Sequence, residues 1–245
     1  MNVQIWGLTD PGNIRQQNQD TYEIVSFGHD RALMIVCDGM GGAKSGNIAS
    51  SMAAETFVAE VRRCQKLATG TERVISILKG ALELANQAVY EHSSLSDDYS
   101  GMGTTLVAAF LLRNTAVVIN VGDSRAYHFT REDVSLVTRD HSMVAYMVER
   151  GELTQEQAKL HPGKNVITRA VGTEPEVEGD VFICKLRKEE CILLCSDGLS
   201  NEMADQEMLF EVVHGMSKSD CCQRLLHIAK KRGAPDNVTV ALAAV

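Results

Sequence analysis

Two stretches of the sequence, LMIVCDG at residues 33–39 and CILLCSDG at residues 191–198, decide the fold. In each of them an apolar run typical of a buried strand ends at an Asp-Gly pair, Asp38-Gly39 or Asp197-Gly198. A carboxylate at the end of a hydrophobic strand is costly to desolvate unless a positive group meets it. Two such strands, far apart in sequence, therefore predict one shared cation where the fold brings their ends together.

The alternative is that each Asp-Gly pair forms the turn of a β-hairpin. A two-residue hairpin turn needs a returning strand directly after it. Residues 40–46, MGGAKSG, and residues 199–203, LSNEM, show no alternation of apolar and polar side chains. The hairpin interpretation is therefore weakened at both positions.

The composition limits the class of protein. The formal net charge of −8 over 245 residues argues against a nucleic-acid-binding protein, whose binding surface is basic. No apolar run approaches the roughly 18 residues that a membrane span needs, and the first residues lack the pattern of a signal peptide. The seven cysteines include no Cys-x-x-Cys pair, which favours reduced structural thiols. The sequence predicts a cytoplasmic protein without a membrane span.

Hydrophobic periodicity predicts two strand-rich blocks, each followed by helices. Strands are predicted at residues 3–9, 21–27, 32–37, 104–112, 115–121, 125–129, 134–137, 181–185, 191–196 and 238–244. Helices are predicted at residues 45–65, 71–94, 141–160, 204–213 and 218–232. The strands between residues 104 and 137 are interpreted as one meander. The order of the elements predicts a single domain over residues 1–245, with a core of two sheets and helices outside.

Five aspartates lie at the ends of predicted strands: Asp20, Asp38, Asp123, Asp197 and Asp236. A ligand set of oxygen atoms alone suits hard cations such as Mg²⁺ or Mn²⁺. A pair of such ions can bridge one water molecule, lower its pKa and hold a phosphoryl oxygen. Any one of these aspartates is explained equally well as a turn or cap residue. Together, however, they predict the metal-dependent hydrolysis of a phosphoester.

Seven short motifs, in this order, resemble the metal-dependent type 2C (PPM) serine/threonine protein phosphatases in their compact bacterial form. The motifs are Arg15-x-x-Asn18-Gln19-Asp20, Asp38-Gly39-Met40-Gly41-Gly42, Gly103-Thr104-Thr105, Gly122-Asp123-Ser124-Arg125, Asp140-His141-Ser142, Ser196-Asp197-Gly198 and Asp236-Asn237-x-Thr239. The resemblance runs from about residue 5 to residue 244. It implies an α+β fold, a four-layer α-β-β-α sandwich in which helix pairs flank two antiparallel sheets.

The resemblance also implies the ligands of two Mn²⁺ or Mg²⁺ ions. The first ion would be held by Asp38, Asp197 and Asp236, and Asp38 would bridge to the second. The backbone carbonyl of Gly39 and the side chain of Asp20 would complete the second site. Asp123, together with Asp197, matches a weaker site for a third ion.

The remaining implied roles concern the substrate. Arg15 matches the arginine that holds the substrate phosphate, a task that suits the planar guanidinium group. With Asp38 it makes up the implied catalytic pair, and the implied mechanism is direct attack on phosphorus by a water that bridges the two metal ions. Residues 141–170 match the variable flap beside the site, where His161 is the candidate substrate contact. Met40 stands where eukaryotic members carry a histidine that acts as general acid, and a water on the third ion is our hypothesis for the proton donor.

The implied substrates are proteins phosphorylated on serine or threonine, including a serine/threonine kinase and the substrates of that kinase, and the protein is expected to act as a monomer. Two alternatives belong to other classes of function. One is a regulatory phosphatase that acts on a single phosphoprotein antagonist in a partner switch, which Arg15 disfavours because such proteins often lack this arginine. The other is a catalytically silent binding module, which would be expected to lose its metal ligands.

Overall fold

The structure is a computed structural model that describes residues 2–41, 45–215 and 217–245. Gly42, the last residue of the second motif, lies outside the described residues. The strands are β1 Gln4–Asp10, β2 Asp20–Ser26, β3 Arg31–Met40, β4 Gly103–Thr104, β5 Leu106–Leu112, β6 Thr115–Val121, β7 Arg125–Phe129, β8 Val134–Leu136, β9 Asp180–Lys185, β10 Cys191–Cys195 and β11 Val238–Ala244. The α-helices are α1 Gly46–Cys64, α2 Thr71–Ser93, α3 Met143–Glu149, α4 Gln155–Leu160, α5 Asp197–Ser200, α6 Asp205–His214 and α7 Cys221–Lys231.

The strands form two antiparallel sheets. The first sheet has the order β1-β11-β10-β7-β8, and the second has the order β2-β3-β5-β6-β9, with β4 paired to β3. Helices α1 and α2 pack on the second sheet, while α6 and α7 pack on the first. The predicted four-layer α-β-β-α sandwich is therefore confirmed.

The apolar runs of β3 and β10 are explained by burial on both faces. Side chains alternate between the faces of a strand, so Leu33 and Ile35 pack under the helices while Met34 faces the opposite sheet. In β10, Leu193 likewise packs against its own helix layer and Ile192 faces the space between the sheets. Both strands are central in their sheets, which is why neither has an exposed polar face.

The predicted meander over residues 104–137 is wrong. Strand β6 pairs with β5 and β9 in the second sheet, whereas β7 pairs with β8 and β10 in the first. The chain changes sheets at Gly122-Asp123-Ser124, where Gly122 has a φ of 102° that a residue with a Cβ rarely adopts. The hydrophobic pattern marks residues 115–121 and 125–129 as strands but carries no information on the sheet that each strand joins, so it does not reveal this crossing.

The predicted helix over residues 141–160 is divided into two short ones, α3 and α4. The chain turns between them at Gly151, which has a φ of 72°. Helix α4 then begins at a capping box formed by Thr154 and Gln157. No helix within the described residues combines the length and the hydropathy that crossing a bilayer requires.

One edge of the sandwich collects the strand ends that carry the candidate site. Strands β3 and β10 end there, and β2, β7 and β11 begin there. The chain also crosses between the sheets at this edge, through residues 11–19, through the turn after β6 and through the segment between β8 and β9. All five aspartates singled out in the sequence lie on these elements or directly beside them.

Candidate active site

Asp20 and Asp38 lie directly opposite each other on neighbouring antiparallel strands. The register of β2 and β3 pairs Asp20 with Asp38 at the end of the ladder. Two like charges in this position destabilise a sheet, since directly opposite side chains have Cβ atoms about 4.5–5.5 Å apart. The backbone alone thus places two carboxylates where a positive group would stabilise both.

Asp20 is buried and only partly satisfied by its neighbours. Its Oδ2 accepts a hydrogen bond of 2.7 Å from the Ser196 hydroxyl, and Ser196 follows β10 in the other sheet. Burial raises the pKa of Asp20 to about 6, and the charges of Asp197 and Asp236 act in the same direction. The side chain therefore connects the two sheets at their common edge.

The five aspartates at this edge, Asp20, Asp38, Asp123, Asp197 and Asp236, are called the carboxylate group below. Asp38 and Asp197 form its centre. Burial raises the pKa of both carboxyl groups. The charges of Asp20 and Asp197 raise the pKa of Asp38 further. The backbone of Asp38 is fixed on both sides, because its N–H donates to the Thr105 hydroxyl at 2.9 Å and its carbonyl accepts from the Thr105 N–H at 2.9 Å.

Asp123 lies in the turn where the chain changes sheets. Burial raises its pKa to about 7, with a further contribution from the charge of Asp197. The next residue, Ser124, is buried and shares a hydrogen bond of 2.7 Å with the Thr105 hydroxyl. Thr105 therefore contacts both the Asp38 backbone and the turn that carries Asp123.

Arg15 and Asp236 form an ion pair with two parallel hydrogen bonds. Arg15 Nε donates to Asp236 Oδ1 at 3.0 Å, and Arg15 Nη2 donates to Oδ2 at 2.9 Å. The Arg15 side chain is 55% exposed, so the guanidinium lies at the surface of the carboxylate group. The ion pair was not predicted, although the sequence analysis singled out both residues.

Gly39 continues β3 beyond Asp38 and packs tightly against backbone. Its N–H donates to the Gln19 carbonyl at 3.1 Å, and an added Cβ would overlap the carbonyl of Gly46. A side chain at this position would displace the start of α1 or the residue before Asp20. Glycine is therefore needed here for close approach of the backbone.

Two observations test whether these residues suit a metal ion. Among residues 2–41, 45–215 and 217–245, no three His, Cys, Asp or Glu side chains are already arranged to coordinate a metal ion. The carboxylates instead turn to protein partners: Asp20 to Ser196, Asp197 to Asn201 and Asp236 to Arg15. Yet Oδ1 of Asp20 and Oδ1 of Asp197 are buried with no hydrogen-bond partner in the described part of the chain.

Buried carboxylate oxygens without partners are unusual and call for a cause. These two oxygens belong to acids whose negative charges raise one another's pKa. Arg15 contributes a positive charge to this cluster through its ion pair with Asp236. Oxygen ligands of this kind are those of Mg²⁺ and Mn²⁺. The donor set therefore fits hard divalent cations.

The flap comes close to the carboxylate group at one of its ends. A cavity of about 400 Å³ lies between Met40 and the last flap residues, Thr168 to Ala170. His161 lies further along the flap, at the C-terminal end of α4, where its Nδ1 accepts a hydrogen bond of 3.0 Å from the Gly163 N–H. Within the described residues no hydrogen bond or ion pair is found between His161 and the carboxylates, and its role stays a prediction.

Sequence reasoning missed the hydroxyl groups that hold the acids. The Ser196 hydroxyl donates to Asp20 and accepts from the Thr239 N–H at 3.0 Å. Thr105 and Ser124 form a second such pair behind Asp38 and Asp123. The available signal was a hydroxyl residue between an apolar strand and a candidate ligand, which also occurs at many ordinary turns.

The sequence and the fold are similar to those of known proteins. A family profile described as protein phosphatase 2C matches residues 14–231. The serine/threonine phosphatase stp of Listeria welshimeri is 35% identical over 234 residues, which cover 96% of this chain and 92% of the relative. The solved Streptococcus agalactiae serine/threonine phosphatase superimposes with a TM-score of 0.93 at 34% identity, covering 99% of each chain.

A further solved structure is the catalytic domain of the serine/threonine protein phosphatase PstP in complex with two manganese ions. It matches with a TM-score of 0.84 at 29% identity, covering 99% of this chain and 98% of that one. Together the fold, the acidic edge and these likenesses define a phosphoprotein phosphatase of the bacterial serine/threonine type. The chain belongs to the protein phosphatase 2C family.

Proposed function

We propose that this serine/threonine phosphatase depends on two Mn²⁺ or Mg²⁺ ions bound at the carboxylate edge. The ligands we assign are the side chains of Asp38, Asp197 and Asp236 for the first ion, with Asp38 shared by the second. The Gly39 carbonyl and Asp20 complete the second site, and Asp123 with Asp197 forms a weaker third one. The observation that carries the proposal is the pair of buried, unpartnered oxygens on Asp20 and Asp197.

Bound divalent cations would lower the pKa of a water molecule and neutralise the charge of the phosphoryl group. The contribution of the chain is to hold the acids at fixed positions and to orient the phosphate. Arg15 presents a fork of donors at the surface of the site, and this fork matches a phosphate in geometry and charge. Asp236 retains one acceptor lone pair on Oδ2 while it is paired with Arg15, since each carboxylate oxygen has two and Oδ1 accepts from both Arg15 Nε and the Asn237 N–H.

The substrates that we propose are proteins phosphorylated on serine or threonine, among them a serine/threonine kinase and the substrates of that kinase. We further propose that residues 1–245 act as one catalytic domain and as a monomer in the cytoplasm. The flap of residues 141–170 would contact the substrate through His161. Relatives named serine/threonine phosphatase support the substrate class, and the cavity beside Met40 supports a position for the flap next to the site.

The test combines metal binding with turnover of a phosphothreonine peptide. Calorimetry of the metal-stripped protein should record binding of Mn²⁺, and the same ion should restore hydrolysis that EDTA abolishes. Arg15→Ala should raise KM for the peptide by about 10- to 100-fold, because a lost charge-assisted contact to phosphate removes roughly 1.5–3 kcal/mol. Arg131→Ala is the matched control, since Arg131 forms an exposed ion pair with Glu189 instead.

Equal turnover after rigorous removal of metal would refute the dependence on divalent ions. An Arg15→Ala variant with an unchanged KM and weakened Mn²⁺ binding would show that Arg15 supports Asp236 and does not hold the phosphate. Replacement of His161 by Ala should change KM for peptides and leave hydrolysis of p-nitrophenyl phosphate unchanged. A loss of both activities would place His161 in the chemistry instead.

A further inference from the structure

The loop that carries Arg15 is tied to the rest of the fold by one buried side chain. This loop, residues 11–19, connects β1 to β2 and crosses between the sheets. Asn237, directly before β11, is only 5% exposed and lies beneath the loop. Its amide Nδ2 donates to the carbonyls of Pro11 and Gln17, at 3.0 Å in each case.

The third hydrogen bond of Asn237 fixes the end of the same loop. Its Oδ1 accepts from the Gln19 N–H at 2.8 Å. One amide group thus holds the loop at Pro11, at its beginning, and at Gln17 and Gln19, near its end, and Arg15 lies between these points. A buried amide with three satisfied hydrogen bonds adopts one orientation, so it fixes the backbone that it contacts.

Other contacts hold the loop at its two ends, and at the second end the Gln19 carbonyl accepts from the Gly39 N–H at 3.1 Å and from the Ser50 hydroxyl at 2.6 Å. Gly12 has a φ of 78°, and an added Cβ there would overlap the carbonyl of Asp236. The Asn13 N–H donates to the Ala234 carbonyl at 2.9 Å, and its side chain donates to the Lys230 carbonyl at 2.7 Å. These contacts hold the first part of the loop, whereas the carbonyl of Gln17, which lies after Arg15, is held by Asn237.

We propose that Asn237 is a positioning residue that presents Arg15 to the phosphate of the substrate. The inference rests on the proposed function of Arg15 as the phosphate-binding group. Ordering a loop costs conformational entropy at each residue that becomes fixed. Asn237 supplies the bonds that fix the loop before the substrate arrives. The ordering of the loop therefore does not reduce the affinity for the phosphate.

The structure offers a matched control in Asn86 on α2. Asn86 is 1% exposed and also makes three hydrogen bonds to the backbone of one loop. Its Nδ2 donates to the carbonyls of Glu174 and Pro175, at 3.0 and 3.1 Å, and its Oδ1 accepts from the Gly172 N–H at 2.7 Å. Replacing either asparagine removes the same number and kind of bonds, but only Asn237 contacts the Arg15 loop.

The experiment is a double-mutant cycle between Asn237→Ala and Arg15→Ala in the Mn²⁺-loaded enzyme. Asn237→Ala alone should raise KM for a phosphothreonine peptide, and Ki for inorganic phosphate, by about 10- to 100-fold, the range seen when a supporting partner of a functional group is removed. In the Arg15→Ala background the same change should alter KM less than about threefold, because the group it positions is gone. Asn86→Ala should lower the melting temperature comparably and leave KM unchanged.

Each outcome separates the inference from the proposed function. If Arg15→Ala raises KM and Asn237→Ala does not, the positioning role is overturned and the role of Arg15 stands. If the two KM effects multiply, Asn237 acts on another part of the site and the inference is equally overturned. An unchanged KM in Arg15→Ala overturns both. Should Asn237→Ala not fold, Asn237→Ser, whose hydroxyl is too short to reach both carbonyls, takes its place in the cycle.

Discussion

The two Asp-Gly strand ends look alike in sequence and continue differently in the structure. Asp38 lies within β3, which extends to Met40 and pairs with β4. Asp197 comes after β10 has ended and opens the short helix α5. The shared sequence pattern therefore predicted the position of each carboxylate at a strand end. Whether the next residues continue the strand or begin a helix is decided by the segments that pack beside them.

The neighbours that differ can be named. At the first strand end, the hydroxyl of Thr104 donates to the Asp38 carbonyl at 2.9 Å, and β4 continues the ladder. At the second, the Asp197 carbonyl accepts from the Asn201 N–H at 2.8 Å, which closes a helical turn. Backbone groups must be paired when they are buried, and the two ends satisfy this need in different ways.

The largest expected difference between the two ends concerns catalysis. Asp38→Asn and Asp197→Asn should each lower kcat/KM by more than about 100-fold, since even partners of metal ligands cost 10- to 100-fold when removed. Asp38→Asn should have the larger effect, because we assign Asp38 to both of the main ions, whereas we assign Asp197 to the first ion and to the weaker third site. Steady-state kinetics with saturating Mn²⁺ and a phosphothreonine peptide provide the measurement. Asp133→Asn, at an exposed turn, is the control.

A smaller effect is expected in the pH dependence of stability without metal. The pKa values of Asp20, Asp38 and Asp197 are raised in the folded state, so the folded protein binds more protons than the unfolded chain above about pH 4. The free energy of unfolding should therefore fall as pH rises above about 4 and through the raised pKa values of these groups. For Asp20 alone, a pKa of about 6 corresponds to ~3 kcal/mol.

Urea denaturation at pH 5 and pH 7.5 in EDTA measures this fall, and Mn²⁺ should remove it because the ion replaces the protons. His141 acts in the opposite direction, since burial lowers its pKa and stability from this group rises with pH. Asp38→Asn should abolish more of the pH dependence than Asp197→Asn, since the pKa of Asp38 is raised further. A stability that is the same at both pH values in all three proteins would contradict the electrostatic account.

The positions of the acids could be predicted from the sequence because strand ends are visible in the hydrophobic pattern. The four-layer order followed from the alternation of strand and helix blocks together with the family resemblance. The crossing at Gly122 could not be predicted, because the hydrophobic pattern shows where strands lie and not which sheet each strand joins, and the only local mark of the crossing is a glycine with positive φ. The contacts of Asn237 were also beyond reach, since Gln17 lies 220 residues away in sequence.

The smallest expected effect distinguishes the two glycines. Gly198 lies in the first turn of α5, where an added Cβ would overlap the carbonyl of Asn237. At Gly39 an added Cβ would overlap the Gly46 carbonyl and also approach the Gln19 carbonyl at 2.7 Å. Overpacking of this kind costs typically 1–3 kcal/mol.

Gly39→Ala should therefore lower the free energy of unfolding more than Gly198→Ala, because it meets backbone on two sides. Gly80→Ala on α2 is the control, since an added Cβ there has no atom within 4 Å and alanine favours the helix. Urea denaturation of the three variants with EDTA separates packing from metal binding. A larger loss of unfolding free energy in Gly198→Ala would contradict this order. It would show that the contact between α5 and Asn237 is the tighter of the two, and that the backbone around Gly39 can shift to accept a methyl group.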